Sequence, residues 1–577
     1  FLYSLPKECM MKICNLKDWV KVLLIAKESL MSMIVKHALD LIYSYLLQNY
    51  WRDSLIKIEH ELLEITRDSK IVFDVNKLDI NITYESLQEK LSKLNEKETV
   101  RKNNGVYYTP QDVVKFILTN TIKSAYGFLS KDNVGEEDLT KIPHYSFGMR
   151  KTIFDPTCGT GEFLLAALTM KFDLLAIHKV PMSKKAIHKV INTIRGNDIN
   201  NDSVIITKLR ILVCTLERFG TDKIIGISRV LNNCFTSYDY VTESVNNAQK
   251  YDIIVGNPPY VEDSKSKSKP KVKYGNIYAN VLINSAKQLT TGGCIGFVVP
   301  LSYVSTPRMK PLRDELLKII PEQYILSYAD RPDCLFDSVH QKLCIIVGKI
   351  RLKNPHVYTG GCRYWYKNER KTLFSNTQVI VNKYAHGDVI PKLGNGMETS
   401  IYSKIVSSHR YQSVYELSRQ GNESVYLNRR EAFWMKAYRS LQKDPEYKIF
   451  SFNSPEEADY CYCLINSSLF WWYWISTSDC WHVSKELNGF RAPFDVDYER
   501  ASILAKKLIS KLEETKVYVG TKQIDYEYKH KDCIDEIRAI DKFINESFGL
   551  SYEEGLYIQN YAFKYRTSGG VEQDESN

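Results

Sequence analysis

The tetrapeptide Asn257-Pro258-Pro259-Tyr260 combines the groups needed to bind an exocyclic amine on a flat ring. The Asn257 side-chain oxygen and the Pro258 backbone carbonyl can each accept a hydrogen bond from an NH2 group. The prolines restrict φ, so both acceptors are held in place before a substrate arrives, and the Tyr260 ring offers a stacking surface. Taken alone, the tetrapeptide also fits a proline-stiffened turn after a strand.

A glycine turn at residues 155–163 is the second candidate site. Gly159 and Gly161 let the backbone approach a ligand closely, and the helix that follows offers free N–H groups. A dinucleotide-binding fingerprint would need a third glycine where Leu164 stands, and Asp155 would repel a pyrophosphate. The turn therefore favours a cofactor with a cationic centre and an amine over NAD.

Two further stretches could complete a cofactor site. Asp198 follows the next predicted strand, where a carboxylate commonly binds ribose hydroxyls; the alternative is an N-cap for the following helix. Upstream, Tyr107-Tyr108-Thr109-Pro110 precedes an apolar helix pattern. That stretch is also compatible with a simple helix start, in which Thr109 is the cap and Pro110 is the first helical residue.

The elements around these motifs predict an α/β fold. The apolar run at residues 251–256 is typical of a buried parallel strand, and similar strands are predicted at 294–300 and 343–347. Ligands of open α/β sheets bind at the carboxyl ends of strands, where the motifs lie. Residues 17–66 lack glycine and proline and follow a helical period, which predicts a helical N-terminal region.

The sequence changes in character from about residue 355. Periodicity is poorer there, and Tyr, Trp, Asn and Arg dominate short segments. The aromatic stretch 470–474 is predicted to pack in a core, Trp481 is predicted to be exposed after it, and helices are predicted at 498–515 and 531–547. The polar end of the chain is expected to be disordered.

Charge and composition favour a polyanionic partner. The 577 residues are too many for one core and have a net charge of +10, a modest excess that suits nucleic acid. A stretch after Tyr260 has five lysines within nine residues, which are compatible with phosphate contacts or with a solvated linker. These lysines are Lys265, Lys267, Lys269, Lys271 and Lys273, and Arg308 lies on a helix further along.

Other chemistry is not supported by the sequence. The thirteen cysteines are scattered and form no CxxC pair, which indicates reduced thiols in a cytoplasmic protein and no metal site. No stretch of 18 uninterrupted apolar residues predicts a membrane span. The chain begins at Phe1 rather than methionine. This start is compatible with a fragment from which an upstream domain is missing.

In combination and order, the motifs resemble the γ group of DNA amino-methyltransferases, which use S-adenosylmethionine and include type II and type IIG restriction–modification enzymes. The resemblance covers residues 100–350 by motif. It implies a Rossmann-like S-adenosylmethionine-dependent methyltransferase domain between a helical N-terminal region and an α+β C-terminal target-recognition domain. The expected divisions are residues 1–100, 101–354 and 355–566, with a disordered tail at 567–577.

The resemblance also implies an activity and its partners. Members of this group transfer a methyl group from S-adenosylmethionine to an exocyclic amine of a base flipped out of duplex DNA. An asparagine at the first position of the tetrapeptide is commoner in enzymes that modify adenine N6 than in those that modify cytosine N4. Double-stranded DNA is the expected partner, no membrane is involved, and both a monomer and a complex with a restriction or specificity subunit stay open.

Site residues follow from the matched motifs. The implied catalytic residues are Asn257, Pro258, Pro259, Tyr260 and Phe336, the last resembling an aromatic residue that packs against the flipped base. The implied cofactor-binding residues are Tyr107, Tyr108, Thr109, Pro110, Asp155, Thr157, Gly159, Gly161, Phe163, Asp198, Ile199 and Asn257. Expected DNA contacts are the five lysines, Arg308, Trp481 and Lys485. The acid that often binds the cofactor's adenine amine after the third strand has no clear counterpart near residues 232–239.

Two other functions stay open. The tetrapeptide could serve an amine methyltransferase acting on RNA or on a protein glutamine, although the large C-terminal region argues against a compact protein-modifying enzyme. The chain could also be a DNA-binding module with a decayed cofactor site. Against this, Asp155, Gly159, Gly161 and Asn257 are all intact.

Overall fold

The computed structural model describes most of the chain. The described ranges are residues 32–67, 81–94, 108–244, 248–337, 339–350, 355–375, 377–407, 411–418, 421–441, 447–483, 486–521 and 525–567. Tyr107 and Lys485 lie outside these ranges, as do residues 17–31 of the predicted N-terminal helical pattern and all but the first residue of the predicted tail.

A large mixed sheet forms the centre of the molecule. Within the described ranges it has nine strands in the order β3-β2-β1-β4-β5-β7-β6-β8-β9. The strands are β1 (Ile153–Asp155), β2 (Ile194–Asn197), β3 (Phe235–Thr236), β4 (Tyr251–Gly256), β5 (Leu289–Pro300), β6 (Glu322–Tyr328), β7 (Leu343–Lys349), β8 (His356–Arg363) and β9 (Ile380–Val381).

The strand order reverses beside β1, and this reversal creates the crevice of the fold. β1 is parallel to β2 on one side and to β4 on the other, so Ile153 lies opposite both Ile194 and Ile253. β5 continues the parallel set, whereas β7 runs antiparallel to both β5 and β6. Ligands of doubly wound sheets bind at such a reversal, outside the carboxyl ends of the strands. The predicted α/β fold is confirmed.

Helices cover both faces of the sheet, which explains why β4 is apolar from Ile253 to Gly256 rather than alternating. Ile253 and Val255 pack into one hydrophobic cluster, and Ile254 between them packs into the other. The helices before residue 355 are α1 (Met33–Asn49), α2 (Arg52–Thr66), α3 (Tyr84–Ser92), α4 (Gln111–Ala125), α5 (His144–Met149), α6 (Glu162–Ile177), α7 (Lys184–Ile191), α8 (Asn201–Phe219), α9 (Thr221–Ile224), α10 (Ile227–Cys234), α11 (Tyr240–Glu243), α12 (Tyr278–Lys287), α13 (Ser302–Ser305) and α14 (Lys310–Ile319).

The N-terminal helical prediction is confirmed over its described part. α1 begins after Ser32, whose side chain accepts a hydrogen bond from the Val35 N–H, and ends before Tyr50. α2 follows after Trp51, so the predicted helical pattern is two helices. Their buried faces, together with α3, pack in the same cluster as Ile253.

The C-terminal part of the chain packs on the other cluster. β8 and β9 extend the central sheet past residue 355, where a change of domain is predicted; the division into domains stays a prediction. Trp471, Trp472 and Trp474 are fully buried, as expected for the aromatic stretch. The later elements are β10 (Gln412–Ser413), β11 (Glu423–Asn428), β12 (Ala437–Tyr438), β13 (Tyr447–Phe452), β14 (Arg491–Ala492), β15 (Val517–Tyr518), β16 (Tyr526–Glu527), α15 (Gly396–Val406), α16 (Val414–Leu417), α17 (Pro455–Asn466), α18 (Ser468–Thr477), α19 (Glu486–Gly489), α20 (Tyr498–Thr515), α21 (Ile534–Ser547), α22 (Tyr552–Asn560) and α23 (Phe563–Thr567).

None of the helices in the described ranges has both the length and the apolar character that crossing a membrane requires.

A buried lysine fastens α6 to the segment that leads into β1. Lys171 is fully buried, and its Nζ donates hydrogen bonds of 2.7 Å to the carbonyl oxygens of Phe147 and Lys151. Burial lowers the pKa of Lys171 from its ordinary value to about 7. A neutral amine still has two N–H groups, so both carbonyls keep their donor when the charge is lost.

This lysine predicts a pH dependence of stability. Between about pH 7 and the ordinary lysine pKa of about 10.4, the unfolded chain binds a proton at this position that the folded chain does not bind. The free energy of unfolding should therefore rise with pH across this window, by roughly 1 kcal/mol per unit relative to Lys171→Met. Urea unfolding at several pH values, with the exposed Lys131→Met as control, measures it. Parallel curves for the wild type and Lys171→Met would contradict the assignment.

Candidate active site at the ends of β1 and β4

The glycine turn between β1 and α6 needs its two glycines for different reasons. Gly161 has a φ of +92°, and a Cβ added to it would lie 2.6 Å from Thr207 Cγ2. Gly159 has a φ of +52°, and a Cβ added to it would meet nothing within 4 Å. Gly161 therefore allows close packing of the turn on α8, whereas Gly159 leaves the backbone open on its outer side.

Asp155 closes β1 with a carboxylate that is only 2% exposed. Its Oδ1 accepts a hydrogen bond of 3.0 Å from the Thr157 N–H. Burial raises the pKa of Asp155 well above its usual range, the Thr157 N–H opposes the shift, and the nearby charge of Asp198 adds to it. A cationic ligand here would relieve an unfavourable concentration of negative charge.

Asp198 joins the end of β2 to the glycine turn. Its Oδ2 accepts from the Gly159 N–H at 2.8 Å, and its Oδ1 accepts from the Asn200 N–H at 2.8 Å. Asn200, not Asp198, is the N-cap of α8, because its side chain accepts from the Asp202 N–H. The neighbouring Ile199 is an apolar side chain that is 65% exposed, which suits contact with a flat heterocycle.

Asn197 is a structural centre of the site that the motifs did not indicate. It is fully buried. Its Nδ2 donates to the carbonyl oxygens of Pro156 at 3.1 Å and Tyr238 at 3.0 Å. Its Oδ1 accepts from Thr236 Oγ1 at 3.0 Å. One amide therefore joins the segments that follow β1, β2 and β3; its only signal in the sequence is a polar residue at the end of an apolar strand.

The tetrapeptide contacts the upstream stretch directly. Asn257 Nδ2 donates a hydrogen bond of 3.1 Å to Thr109 Oγ1. The expected helix start is wrong in detail, because α4 begins at Gln111 with Pro110 as its N-cap and has no side-chain cap. Buried Thr109 acts instead as the partner of Asn257.

The aromatic residues of the site differ in accessibility. Tyr260 is half-buried, donates from its hydroxyl to the Val298 carbonyl at 3.0 Å, and has its ring centroid 6.5 Å from that of Tyr278 in an edge-on contact. Phe336 is 1% exposed and packs in the core after β6. A half-buried Tyr260 can present a ring face to a ligand, whereas the stacking role of Phe336 stays a prediction.

A buried ion pair between α8 and α6 supports the glycine turn. Arg210 on α8 pairs with Glu162, the first residue of α6, which also accepts a hydrogen bond from the Gln111 side chain. Arg210 Nη1 donates to the Thr160 carbonyl at 2.7 Å, and its Nε donates to Gln88 Oε1 at 3.0 Å. Helix α3 of the N-terminal region is thereby fastened to the turn.

The remaining implied cofactor residues lie around these groups. Tyr108 has a pKa raised first by burial and then by the charge of Glu162, which places its hydroxyl near the start of α6. Phe163 is 2% exposed and packs in the core beneath the turn. Thr157 Oγ1 is buried and makes no hydrogen bond to protein, so it is available to a ligand. Pro258 is buried and Pro259 half-buried.

The lysine-rich loop follows β4 and is closed at its base. Gly275 N–H donates to Asp263 Oδ2 at 2.7 Å, and the guanidinium of exposed Arg308 lies against Gly275. All five lysines are exposed, and Lys265 pairs with Glu262 at 3.0 Å. The loop thus presents its positive charge to solvent directly after the tetrapeptide.

Trp481 links the C-terminal region to this edge of the sheet. Its ring is 49% exposed, as expected, and Lys342 Nζ lies 4.4 Å from the ring centroid. Lys342 also pairs with Asp330, which follows β6, at 3.1 Å.

Comparison with known proteins agrees with this geometry. Residues 192–333, which include Asp198 and the tetrapeptide, match the family described as Eco57I restriction-modification methylase. Over these residues the chain is similar to restriction–modification methylases.

Curated relatives of the domain are methyltransferases. The chain is 25% identical over 203 residues to the adenine-specific methyltransferase PglX of Streptomyces coelicolor, a match covering 28% of this chain and 15% of PglX. It is 26% identical over 237 residues to the type II methyltransferase M.BstVI of Geobacillus stearothermophilus, covering 39% of this chain and 38% of that protein. For the modification methylase CviBIII of Paramecium bursaria Chlorella virus NC1A, the identity is 25%, with 40% of this chain and 52% of that protein covered. The chain thus matches about half or less of each of these relatives.

One solved structure shares the fold over the whole chain. It is the type IIL restriction-modification enzyme MmeI in complex with DNA, with a TM-score of 0.53 and 12% identity, covering 97% of this chain and 99% of that one. At this identity the likeness concerns the fold alone.

The contact between β1 and β4 predicts the effect of one methyl group. A Cβ added to Gly256 would lie 2.8 Å from Asp155 Oδ1 and would displace the carboxylate. Since charge-assisted hydrogen bonds contribute about 1.5–3 kcal/mol, Gly256→Ala should lower the affinity for S-adenosylmethionine roughly ten- to hundred-fold.

Calorimetric titration of the folded variant measures this loss. Gly396→Ala is the matched control, since a Cβ there would meet nothing within 4 Å. An unchanged dissociation constant in a folded Gly256→Ala chain would exclude Asp155 from the cofactor site.

Proposed function

We propose that this chain is a site-specific DNA methyltransferase that transfers a methyl group from S-adenosylmethionine to N6 of a flipped adenine in duplex DNA, acting in the cytoplasm. The observation that supports it most is the hydrogen bond of 3.1 Å between Asn257 and Thr109. This contact supports the proposal because it joins the tetrapeptide proposed to bind the amine to the stretch that precedes the glycine turn.

The residues present fit S-adenosylmethionine. Gly159 leaves open space where a side chain would stand, and the hydroxyl of Thr157 is available. The carboxylates of Asp155 and Asp198 provide acceptors for an amine and for ribose hydroxyls, and exposed Ile199 provides an apolar contact. When bound, S-adenosylmethionine supplies an electrophilic methyl group on a sulfonium.

The tetrapeptide provides what the amine needs. The lone pair of an adenine N6 amine is delocalised into the ring, so the amine is a poor nucleophile. Asn257 Oδ1 and the Pro258 carbonyl would each accept a hydrogen bond from one N–H of the amine. These hydrogen bonds would favour a tetrahedral nitrogen and stabilise the positive charge that develops there. No strong base is required before attack, in agreement with the absence of His and Glu from the tetrapeptide.

Substrate access requires that the base leave the duplex. An amine paired inside a double helix cannot reach the end of β4, so the target nucleotide must be rotated out of the stack. Tyr260 would then stack on the base with its half-exposed ring, and Phe336 is the proposed second contact. The lysine-rich loop, Arg308, Trp481 and Lys485 are the proposed contacts to DNA, the lysines through phosphates.

Adenine is proposed as the target because one of the curated relatives, PglX, is described as adenine-specific. We expect N6-methyladenine in plasmid DNA from a methylation-deficient host that expresses the chain, and none from a host expressing Asn257→Ala. Mass spectrometry of the hydrolysed nucleosides measures both possible products. N4-methylcytosine without N6-methyladenine would refute the target base, and methyl groups found only on RNA or protein would refute the function.

A further inference from the structure

A single arginine bridges the start of α4 and the segment that precedes Phe336. Arg370 lies in a 3-10 helix at Lys367–Thr372. This helix comes after residues 100–350, the part of the chain that the methyltransferase motifs cover. Its Nε donates to Asp112 Oδ2 at 2.6 Å, and its Nη2 donates to Asp112 Oδ1 at 2.9 Å. This paired geometry fixes the orientation of both side chains.

The same guanidinium also binds the segment that leads to Phe336. Arg370 Nη1 donates to the Cys334 carbonyl at 3.1 Å, and Nη2 donates to the Leu335 carbonyl at 2.9 Å. Phe336 is the next residue. The position of its backbone is therefore tied to α4 through one side chain.

Asp112 lies in the first turn of α4, three residues after Thr109, the partner of Asn257. Arg370 thus stands between the segment that orients the amine acceptor and the segment that carries the proposed second stacking residue. The Arg370 and Asp112 side chains are 21% and 39% exposed. Ion pairs at this exposure contribute little to stability, so their fixed geometry is the larger effect.

The 3-10 helix that carries Arg370 is held by the last described helix. Glu369 accepts from the Tyr565 hydroxyl at 3.0 Å and pairs with Lys564. The Tyr366 hydroxyl donates to the Lys564 carbonyl at 2.8 Å. The 3-10 helix therefore connects α23 to the start of α4 and to the segment that precedes Phe336.

We propose that Arg370 is a positioning residue for methyl transfer, which holds Asn257 and Phe336 at the spacing that the target base requires. The proposal rests on the proposed function. It further assigns to the C-terminal region a direct role in the geometry of transfer, beyond contact with DNA.

The test uses the full chain with the variants Arg370→Ala, Arg370→Lys, Asp112→Asn and the double variant Asp112→Asn/Arg370→Ala. Arg218→Ala is the control, because Arg218 pairs with Asp173 at 2.5 Å with similar exposure, near the ends of α8 and α6 remote from the site. Single-turnover methyl transfer is measured with labelled S-adenosylmethionine on unmethylated plasmid DNA. Calorimetry gives the cofactor affinity, and thermal unfolding gives the stability.

Arg370→Ala should lower the single-turnover rate constant roughly ten- to hundred-fold, since a displacement of about 1 Å can have such an effect. Cofactor affinity, the KM for DNA and the unfolding temperature should change no more than in Arg218→Ala. Arg370→Lys should lose less than Arg370→Ala but not recover the wild-type rate, because an ammonium cannot form the two-pronged contact. The double variant should be no slower than Arg370→Ala.

Three results would overturn the proposal. They are a wild-type rate in Arg370→Ala, a loss of cofactor affinity equal to the loss of rate, or losses that multiply in the double variant. A wild-type chain that binds S-adenosylmethionine and methylates no DNA would instead overturn the proposed function itself, so the two failures are distinguishable.

Discussion

The close approach of β1 and β4 at their carboxyl ends is the constraint on which the site depends. Gly256 has no side chain, and the space that a Cβ would take lies 2.8 Å from Asp155 Oδ1. The carboxylate that ends β1 can therefore stay buried between the two strands, and Asn257 directly follows β4. The residues proposed to bind the cofactor and the amine are close together because these two strands are adjacent, at the point where the strand order reverses.

Local patterns in the sequence were sufficient for β1, β2 and β4 and for the residues at their ends, but not for β6, β8 and β9, which no pattern predicted. Apolar runs followed by Asp155, Asp198 and the tetrapeptide predicted the strand ends, and each lies at the same edge of one sheet. The contact between Thr109 and Asn257 was not predicted, because a threonine before a proline reads locally as a helix cap. The structure shows that Thr109 instead accepts a hydrogen bond across 148 residues of sequence.

Residues that support the site through distant partners could not be predicted. Asn197 makes hydrogen bonds to three segments of the chain. Arg210 donates a hydrogen bond to Gln88, 122 residues away in the sequence, and Arg370 donates to Asp112, 258 residues away. Such contacts have no periodicity or motif, since their geometry exists only after the chain has folded. The burial of Phe336 could not be predicted for the same reason, because several elements contribute the residues that surround it.

The effect of Asn257→Ala tests the account most directly, because Asn257 is proposed to act mainly on the target amine. The variant should lose methyl transfer by at least about hundred-fold while its dissociation constant for S-adenosylmethionine stays within a few-fold of the wild type. Asn192→Ala, at the opposite end of β2, is the control. Wild-type-like turnover of Asn257→Ala would contradict the account.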